Sequence, residues 1–211
     1  IMETKQYVSY LDFLTTFSPM GCFSSNQIHQ AAGQSVSRNT IGRWVREEKL
    51  IRLRQGWYAC AQMRDEPDAS LYCANRIYAP SYISMHTALS LYGMILETVA
   101  QLNSVTAGNT AYFENLLGQF TYKSIKEELM FGYTLEALTL EPYRSIMIAQ
   151  REKALLDLFY LYPQYQSHRD MVELRLDLDE IDVDMLDEYT FRFCVIALEQ
   201  RMHTLKEAYG L

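Results

Sequence analysis

Between Arg38 and Arg54 the chain gathers six basic residues against two acidic ones, although its overall net charge is −7. Within this segment Asn39, Arg43 and Arg46 stand at i, i+4 and i+7, a spacing that places them on one face of a helix. In the DNA major groove, arginine can grip guanine with two hydrogen bonds, and asparagine can do the same with adenine. These residue types at this spacing predict a helix that reads base edges.

The other side of the same helix is apolar. Ile41, Trp44 and Val45 cluster there at 100° per residue, so we expect them to pack inward. Gly42 lies beside the outward face and removes bulk where a helix must approach a ligand closely. Trp57 begins a predicted strand, and core packing is the better interpretation for both tryptophans than base stacking.

Further basic residues follow on the helix end and in a predicted hairpin, where they would meet phosphates rather than bases. The predicted DNA-binding residues are Ser37, Arg38, Asn39, Thr40, Arg43, Arg46, Lys49, Arg52, Arg54 and Gln55. The alternative is a solvated helix face whose arginines pair with an acidic second domain. The order of capping serine, glycine stop, outward Asn and Arg, and basic hairpin favours DNA.

Three predicted helices and a hairpin would position these residues. The first helix lies in "YVSYLDFLTTF", and its apolar stripe is Tyr7, Leu11, Leu14 and Phe17. The second, "SSNQIHQAAG", has a serine cap at Ser24 or Ser25 and ends at Gly33. After the turn "QSV", Ser37 caps a third helix that ends near Glu48, and "LIRLRQGWYAC" predicts a hairpin. The combination predicts a winged helix-turn-helix.

The sign of the charge changes along the chain. Residues 1–63 carry a net charge of +3, whereas residues 64–211 carry −10. A basic module followed by an acidic one suggests two domains with different partners. The polar stretch "MRDEPDAS" contains Pro67, so the expected domains are residues 1–66 and 67–211.

The second domain is predicted to combine helices with a small sheet, which makes the fold class α+β. "YISMHTALSLYGM" predicts a helix capped at Ser84 and ended by Gly93, while "LNSVTAG", "GQFTYKSI" and "YRSIMIA" predict strands. The helix in "QREKALLDLFYLYP" ends at Pro163, and its Lys153 and Asp157 are expected to form an exposed ion pair. The acidic tail is expected to be helical, with a last helix across "YTFRFCVIALEQRMHTL".

No residue pattern of a catalytic or metal site emerges. The histidines are scattered, and there is no glycine-rich phosphate loop or GxSxG elbow. "DLDEIDVD" lacks the central glycine of a calcium loop, so a solvated acidic edge is expected. The four cysteines have no metal-binding spacing, which favours reduced thiols in a cytosolic protein. We expect no enzymatic activity, no cofactor and no metal.

The chain contains no apolar run long enough to cross a membrane, and its start carries no secretory signal. These observations predict a cytoplasmic protein that has no membrane partner.

The order of four segments resembles the AbiEi family, the antitoxins and transcriptional regulators of type IV toxin–antitoxin pairs. The segments are "SRNTIGRWVREEKLIRLRQGWYA", "YISMHTALSLYGM", "FGY" and "IMIAQREKALLDLFYL". The best matches are Gly56-Trp57-Tyr58 and the block from Glu152 to Asp157, although Arg151 stands where the family often has proline. The acidic tail after residue 165 has no counterpart in this resemblance.

The resemblance implies a winged-helix domain that binds double-stranded DNA at its own promoter. It also implies a C-terminal domain that counters a toxin similar to a nucleotidyltransferase, without forming a stable complex with it. The protein could bind this DNA as a dimer.

Two other functions compete with an autorepressor that is also an antitoxin. One is a winged-helix regulator whose acidic domain binds a small ligand or a partner protein. The other is a DNA-targeted nuclease, which would need carboxylates gathered around a metal in the folded second domain. A nucleotidyltransferase-like reading frame in the neighbouring gene would favour the antitoxin.

Overall fold

The computed structural model describes residues 9–32, 36–96, 99–138 and 143–211. Within these residues it combines helices with two β-sheets, so the predicted α+β class is confirmed. The chain divides into two compact units, one formed by Ile1–Tyr78 with Phe113–Gln119 and the other by Ala79–Tyr112 with Phe120–Leu211. The boundary therefore lies at residues 78 and 79 rather than at the predicted 66 and 67.

A helix after the predicted junction explains this difference. Residues Ala69–Ile77 form a helix whose Cys73, Ala74 and Ile77 are fully buried. Its Tyr72 hydroxyl donates a hydrogen bond to the carbonyl of Met20, at 3.2 Å. The polar stretch around Pro67 is thus a loop inside the first unit, and the helix that follows it belongs to that unit.

The first unit alternates helices with short strands. Its helices are α1 (Tyr10–Phe17), α2 (Ser25–Ala32), α3 (Arg38–Arg46) and α4 (Ala69–Ile77). Its strands are β1 (Cys22–Ser24), β2 (Leu50–Arg54) and β3 (Trp57–Cys60). Among the described residues these three strands form an antiparallel sheet in the order β1-β3-β2.

Serine caps begin the helices, as their side chains predict. Ser37 Oγ accepts a hydrogen bond from the Thr40 amide at 3.1 Å, so the predicted cap of α3 is confirmed. Of the two candidates before α2, Ser24 is the capping residue, because its Oγ accepts from the Gln27 amide at 3.2 Å. The predicted helix stop at Gly33 and the turn residues 34 and 35 lie outside the described residues.

Aromatic rings from α1, β1 and α3 form the core of the first unit. The centroid of the Phe13 ring lies 4.4 Å from that of Phe17, 5.7 Å from that of Phe23 and 4.8 Å from that of Trp44. Trp44 is only 2% exposed, so the prediction that it packs inward is confirmed. The predicted stripe of α1 was wrong at Leu11, which is 70% exposed, because the buried side of this helix is centred on Phe13 and Phe17.

A second sheet has the strand order β6-β7-β5-β4-β9-β8, counted over the described residues. These strands are β4 (Ser81–Ile83), β5 (Gln101–Thr106), β6 (Ala111–Asn115), β7 (Gly118–Ser124), β8 (Tyr133–Ala137) and β9 (Ser145–Ala149). The sheet belongs to the second unit except for residues 113–119, which end β6 and begin β7 and are grouped with the first unit. The helices of the second unit are α5 (Met85–Leu91), α6 (Arg151–Leu161), α7 (His168–Glu173), α8 (Val183–Phe193) and α9 (Ile196–Tyr209).

The structure confirms the three predicted strands as β5, β7 and β9, and corrects the last helix. The helix predicted with its cap at Ser84 begins at Met85, as expected, and residues 81–83 before it pair with β5 and β9 as a central strand. The single last helix is in fact two helices, since Cys194 takes a left-handed backbone conformation with φ of 53° and ends α8. The acidic stretch at residues 177–182 is a loop before α8, and Asp182 caps that helix.

The Lys153–Asp157 pair contradicts the expectation of an exposed ion pair, because both side chains are 0% exposed. The Lys153 ammonium contacts an Asp157 carboxylate oxygen and donates to the Tyr82 hydroxyl at 2.8 Å. The other Asp157 oxygen accepts from Tyr82 at 2.9 Å and from the Ser84 hydroxyl at 2.8 Å. Ser84 therefore precedes α5 without capping it by its side chain.

The surroundings of this pair are aromatic. The Lys153 ammonium lies 4.7 Å from the centroid of the Phe193 ring and 5.1 Å from that of Phe131. Burial lowers the pKa of Lys153, while the neighbouring carboxylate of Asp157 acts in the opposite direction. The pair joins β4 to α6 through a closed set of hydrogen bonds, so removing one partner would leave a buried charge uncompensated.

We predict that Asp157→Asn lowers the free energy of unfolding by about 3–5 kcal/mol, because the amide keeps the shape of the side chain but removes the charge that balances Lys153. The measurement is urea denaturation followed by far-UV circular dichroism, which reports on both units. Glu173→Gln is the matched control, since Glu173 forms an i, i+4 pair with Arg169 on the surface. That variant should change the free energy by at most about 0.5 kcal/mol. Equal losses in the two variants would contradict this account.

Candidate nucleic-acid interface

Helix α3 presents a polar face to solvent. Asn39, Arg43 and Arg46 are exposed, whereas Ile41 and Trp44 are buried, so the predicted orientation of the helix is confirmed. Val45 is partly buried and packs against the aromatic core. Arg38, in the first turn, is exposed as well.

Gly42 lies between the two faces of α3 and is half-buried. A Cβ atom added at this position would meet no heavy atom within 4 Å. Packing within the described part of the chain therefore does not require glycine here, and the open space lies on the side of α3 that would approach a ligand.

Ser37 and Thr40, both predicted to contact DNA, are engaged at the start of α3. Their hydroxyl oxygens lie 3.0 Å apart, and Ser37 Oγ also accepts from the Thr40 amide. Ser37 is exposed and Thr40 half-buried. Their role visible in this structure is to begin the helix that carries the arginines.

A carboxylate at the end of α3 joins two of the cations. Glu47 Oε1 lies 3.8 Å from Arg43 Nε, and Glu47 Oε2 accepts a hydrogen bond from the Lys49 ammonium at 2.8 Å. The hydrogen bond from Lys49 is the main cause that lowers the pKa of the Glu47 carboxyl, so this group is ionised at neutral pH. The net positive charge around Arg43 and Lys49 is therefore lower than the sequence alone suggests.

The turn between β2 and β3 lies beside α2. Gly56 has φ of 75°, a left-handed conformation that glycine adopts without steric cost. Its carbonyl accepts hydrogen bonds from the Ser25 amide at 2.8 Å and from the Ser25 hydroxyl at 3.2 Å. This anchor holds the turn, with exposed Gln55 at its tip and exposed Arg52 on β2, against the start of α2.

A groove of about 750 Å³ runs between α2, α3 and this turn. Five exposed polar residues line it, and they are Asn26, His29, Arg38, Arg52 and Gln55. Asn26 and His29 were missed in the sequence, although their i, i+3 spacing on α2, away from the buried Ile28, was the available signal. The groove therefore brings together polar side chains from α2, α3 and the β2–β3 hairpin.

Arg54, by contrast, does not line this groove. Its Nε donates a hydrogen bond to the carbonyl of Ile77. Its guanidinium lies 5.6 Å from the centroid of the Phe113 ring and 5.9 Å from those of Trp57 and Tyr78. Arg54 is half-buried and is engaged within the first unit, and its predicted contact with DNA stays a prediction.

No protein-family model matches the chain, and no curated protein matches it. The relation to the AbiEi family thus stays a prediction from the order of its segments. No helix in the described ranges is both long and apolar enough to cross a bilayer. The same residues contain no cluster of three or more His, Cys, Asp or Glu side chains placed to hold a metal ion.

We predict that Arg54→Ala lowers the free energy of unfolding of the first unit by about 1–3 kcal/mol, because it leaves the Ile77 carbonyl without its donor. Arg52→Ala, on the exposed side of the same strand, should change it by at most about 0.5 kcal/mol. Tryptophan fluorescence in urea measures both, since Trp44 and Trp57 both lie in the first unit. A larger loss for Arg52→Ala would contradict the assignment.

Proposed function

We propose that the protein is a transcriptional regulator whose first unit is a winged helix-turn-helix that binds double-stranded DNA. The order α1-β1-α2-α3-β2-β3 supports this proposal, because two consecutive helices are followed by a hairpin that pairs with β1. Helix α3 is the reading helix, and the β2–β3 turn is the wing.

The observation that carries the proposal is the outward face of α3. Asn39 and Arg43 occupy its exposed side, where a helix in the major groove would meet base edges. The burial of Trp44 on the opposite side fixes which residues face outward. A solvated face alone requires neither this pairing of asparagine with arginine nor a further cation, Arg52, across the groove.

The remaining cations are placed to contact the DNA backbone. Arg38 and Arg46 flank the reading positions on α3, Arg52 lies across the groove on β2, and Lys49 follows the helix end. Contacts of this kind fix the register of the protein on the duplex and add affinity for any sequence. The basic charge lies in residues 36–56, while residues 64–211 carry a net charge of −10 and are repelled by phosphates.

The test is binding of the full chain to duplex DNA at several salt concentrations. Duplexes selected from a randomised library supply the preferred sequence, and a scrambled duplex of the same composition is the control. Four phosphate contacts predict that the logarithm of the association constant falls with the logarithm of salt concentration at a slope of about −3.6, from about −0.9 per phosphate. No binding at low salt, or a flat response to salt, would contradict the proposal.

The roles of autorepressor and antitoxin depend on the resemblance to the AbiEi family rather than on the geometry of the interface. Selection of a sequence from the chain's own promoter would support autorepression. Rescue of cells from the neighbouring gene product by co-expression of the full chain would support the antitoxin role. Failure of rescue together with sequence-specific DNA binding would favour a regulator whose acidic unit binds a ligand or a partner protein.

A further inference from the structure

Glu47 is an acidic residue that lies between two cations of the surface that we propose to meet a polyanion. Its two oxygens are divided between two cations, with Oε1 3.8 Å from Arg43 Nε and Oε2 2.8 Å from Lys49 Nζ. All three side chains are accessible, at 59% exposure for Arg43, 44% for Lys49 and 41% for Glu47. The carboxylate can therefore interact with anything that approaches these cations.

The position disfavours a negative charge on two counts. Glu47 is the C-terminal capping residue of α3, and the C-terminal end of a helix carries partial negative charge. DNA phosphates that approach Arg43 or Lys49 would be repelled by the same carboxylate. Glu47 must therefore weaken binding to the backbone of any duplex.

The side of Arg43 that Glu47 occupies gives this residue a second effect. An arginine has five N–H donors, and a guanine edge takes two of them in a bidentate contact. The Arg43 atom closest to Glu47 is Nε, and its distance of 3.8 Å from Oε1 is longer than a hydrogen bond, so the guanidinium donors remain available to a base edge. The ion pair thus restricts the guanidinium without using the donors that a bidentate contact needs.

We propose that Glu47 is a specificity-determining residue of the DNA interface. This inference rests on the proposed function. Glu47 positions the Arg43 guanidinium for a base edge and reduces the attraction of Arg43 and Lys49 for phosphates. An unrelated sequence offers only phosphates to Arg43 and Lys49, so Glu47 lowers the affinity for it. The preferred sequence also offers a base edge to Arg43, and this contact offsets part of the loss.

The variant Glu47→Gln separates the two effects, because the amide keeps the length of the side chain and removes its charge. An exposed ion pair is worth about 0.2–1 kcal/mol, so we expect affinity for the scrambled duplex to rise by a factor of roughly 1.4–5. Affinity for the selected duplex should rise less, because the orientation of Arg43 is lost. The ratio of the two affinities should fall, and the salt slope on the scrambled duplex should steepen by up to about one unit.

Glu48→Gln is the matched control. Glu48 is the next residue, is also exposed, and makes no ion pair with the residues that the structure describes. Its substitution removes the same formal charge from the same segment. We expect it to change affinity for both duplexes by a similar, smaller factor and to leave their ratio unchanged.

The ratio of the two affinities in each variant tests the proposed role of Glu47. A lower ratio in Glu47→Gln with an unchanged ratio in Glu48→Gln supports the proposal. An unchanged ratio in Glu47→Gln, or an equal fall in both variants, overturns it while leaving DNA binding itself intact. Failure of the unsubstituted chain to bind either duplex would overturn the proposed function, and this inference would fall with it.

Discussion

The burial of Trp44 against the rings of α1 is the constraint on which the proposed interface depends. The centroid of its ring lies 4.8 Å from that of Phe13, in a tilted arrangement, and 5.4 Å from that of Tyr10, in an edge arrangement. Aromatic pairs favour such geometries. Because successive residues of a helix are 100° apart, fixing one side chain in the core fixes the direction of all the others. The exposed positions of Asn39 and Arg43 follow from that single contact, and the serine cap at residue 37 sets where the helix begins. A change at Trp44 would therefore affect the interface without touching a ligand.

The second unit uses charge in a different way. Lys153 and Asp157 are removed from water, and their hydrogen bonds to Tyr82 and Ser84 tie the central strand β4 to α6. A buried pair of this kind gives little net stability compared with apolar residues of similar volume, but it is costly to break. The cations of α3 are exposed, so their charge can act on a partner. The charge of Lys153 is instead balanced by Asp157 inside the fold. Both units contain lysine and arginine near aromatic rings, and burial decides which of them can act on a ligand.

Local signals made α3 and the hairpin predictable, because caps, periodicity and a glycine turn act over a few residues. The buried pair was not predictable, since Lys153–Asp157 and the exposed Arg169–Glu173 have the same i, i+4 spacing and only tertiary packing separates them. Strand β4 is three residues long and is held by pairing with β5 and β9, which no local pattern reveals. The inward turn of Arg54 depends on Ile77 and Phe113, distant in sequence. The helix and the hairpin were therefore predicted as elements, whereas the direction of the Arg54 side chain was not.

The central claim is that the first unit binds duplex DNA through α3 and the β2–β3 turn. Hydrogen–deuterium exchange of the full chain, with and without the selected duplex, tests it most directly because it locates the contact without any substitution. The account predicts slower amide exchange in α3 and around Gln55 and Gly56 when the duplex is present, with the strands and helices of the second unit unchanged. Slower exchange confined to the second unit, or none anywhere under conditions where the duplex is bound, would contradict it.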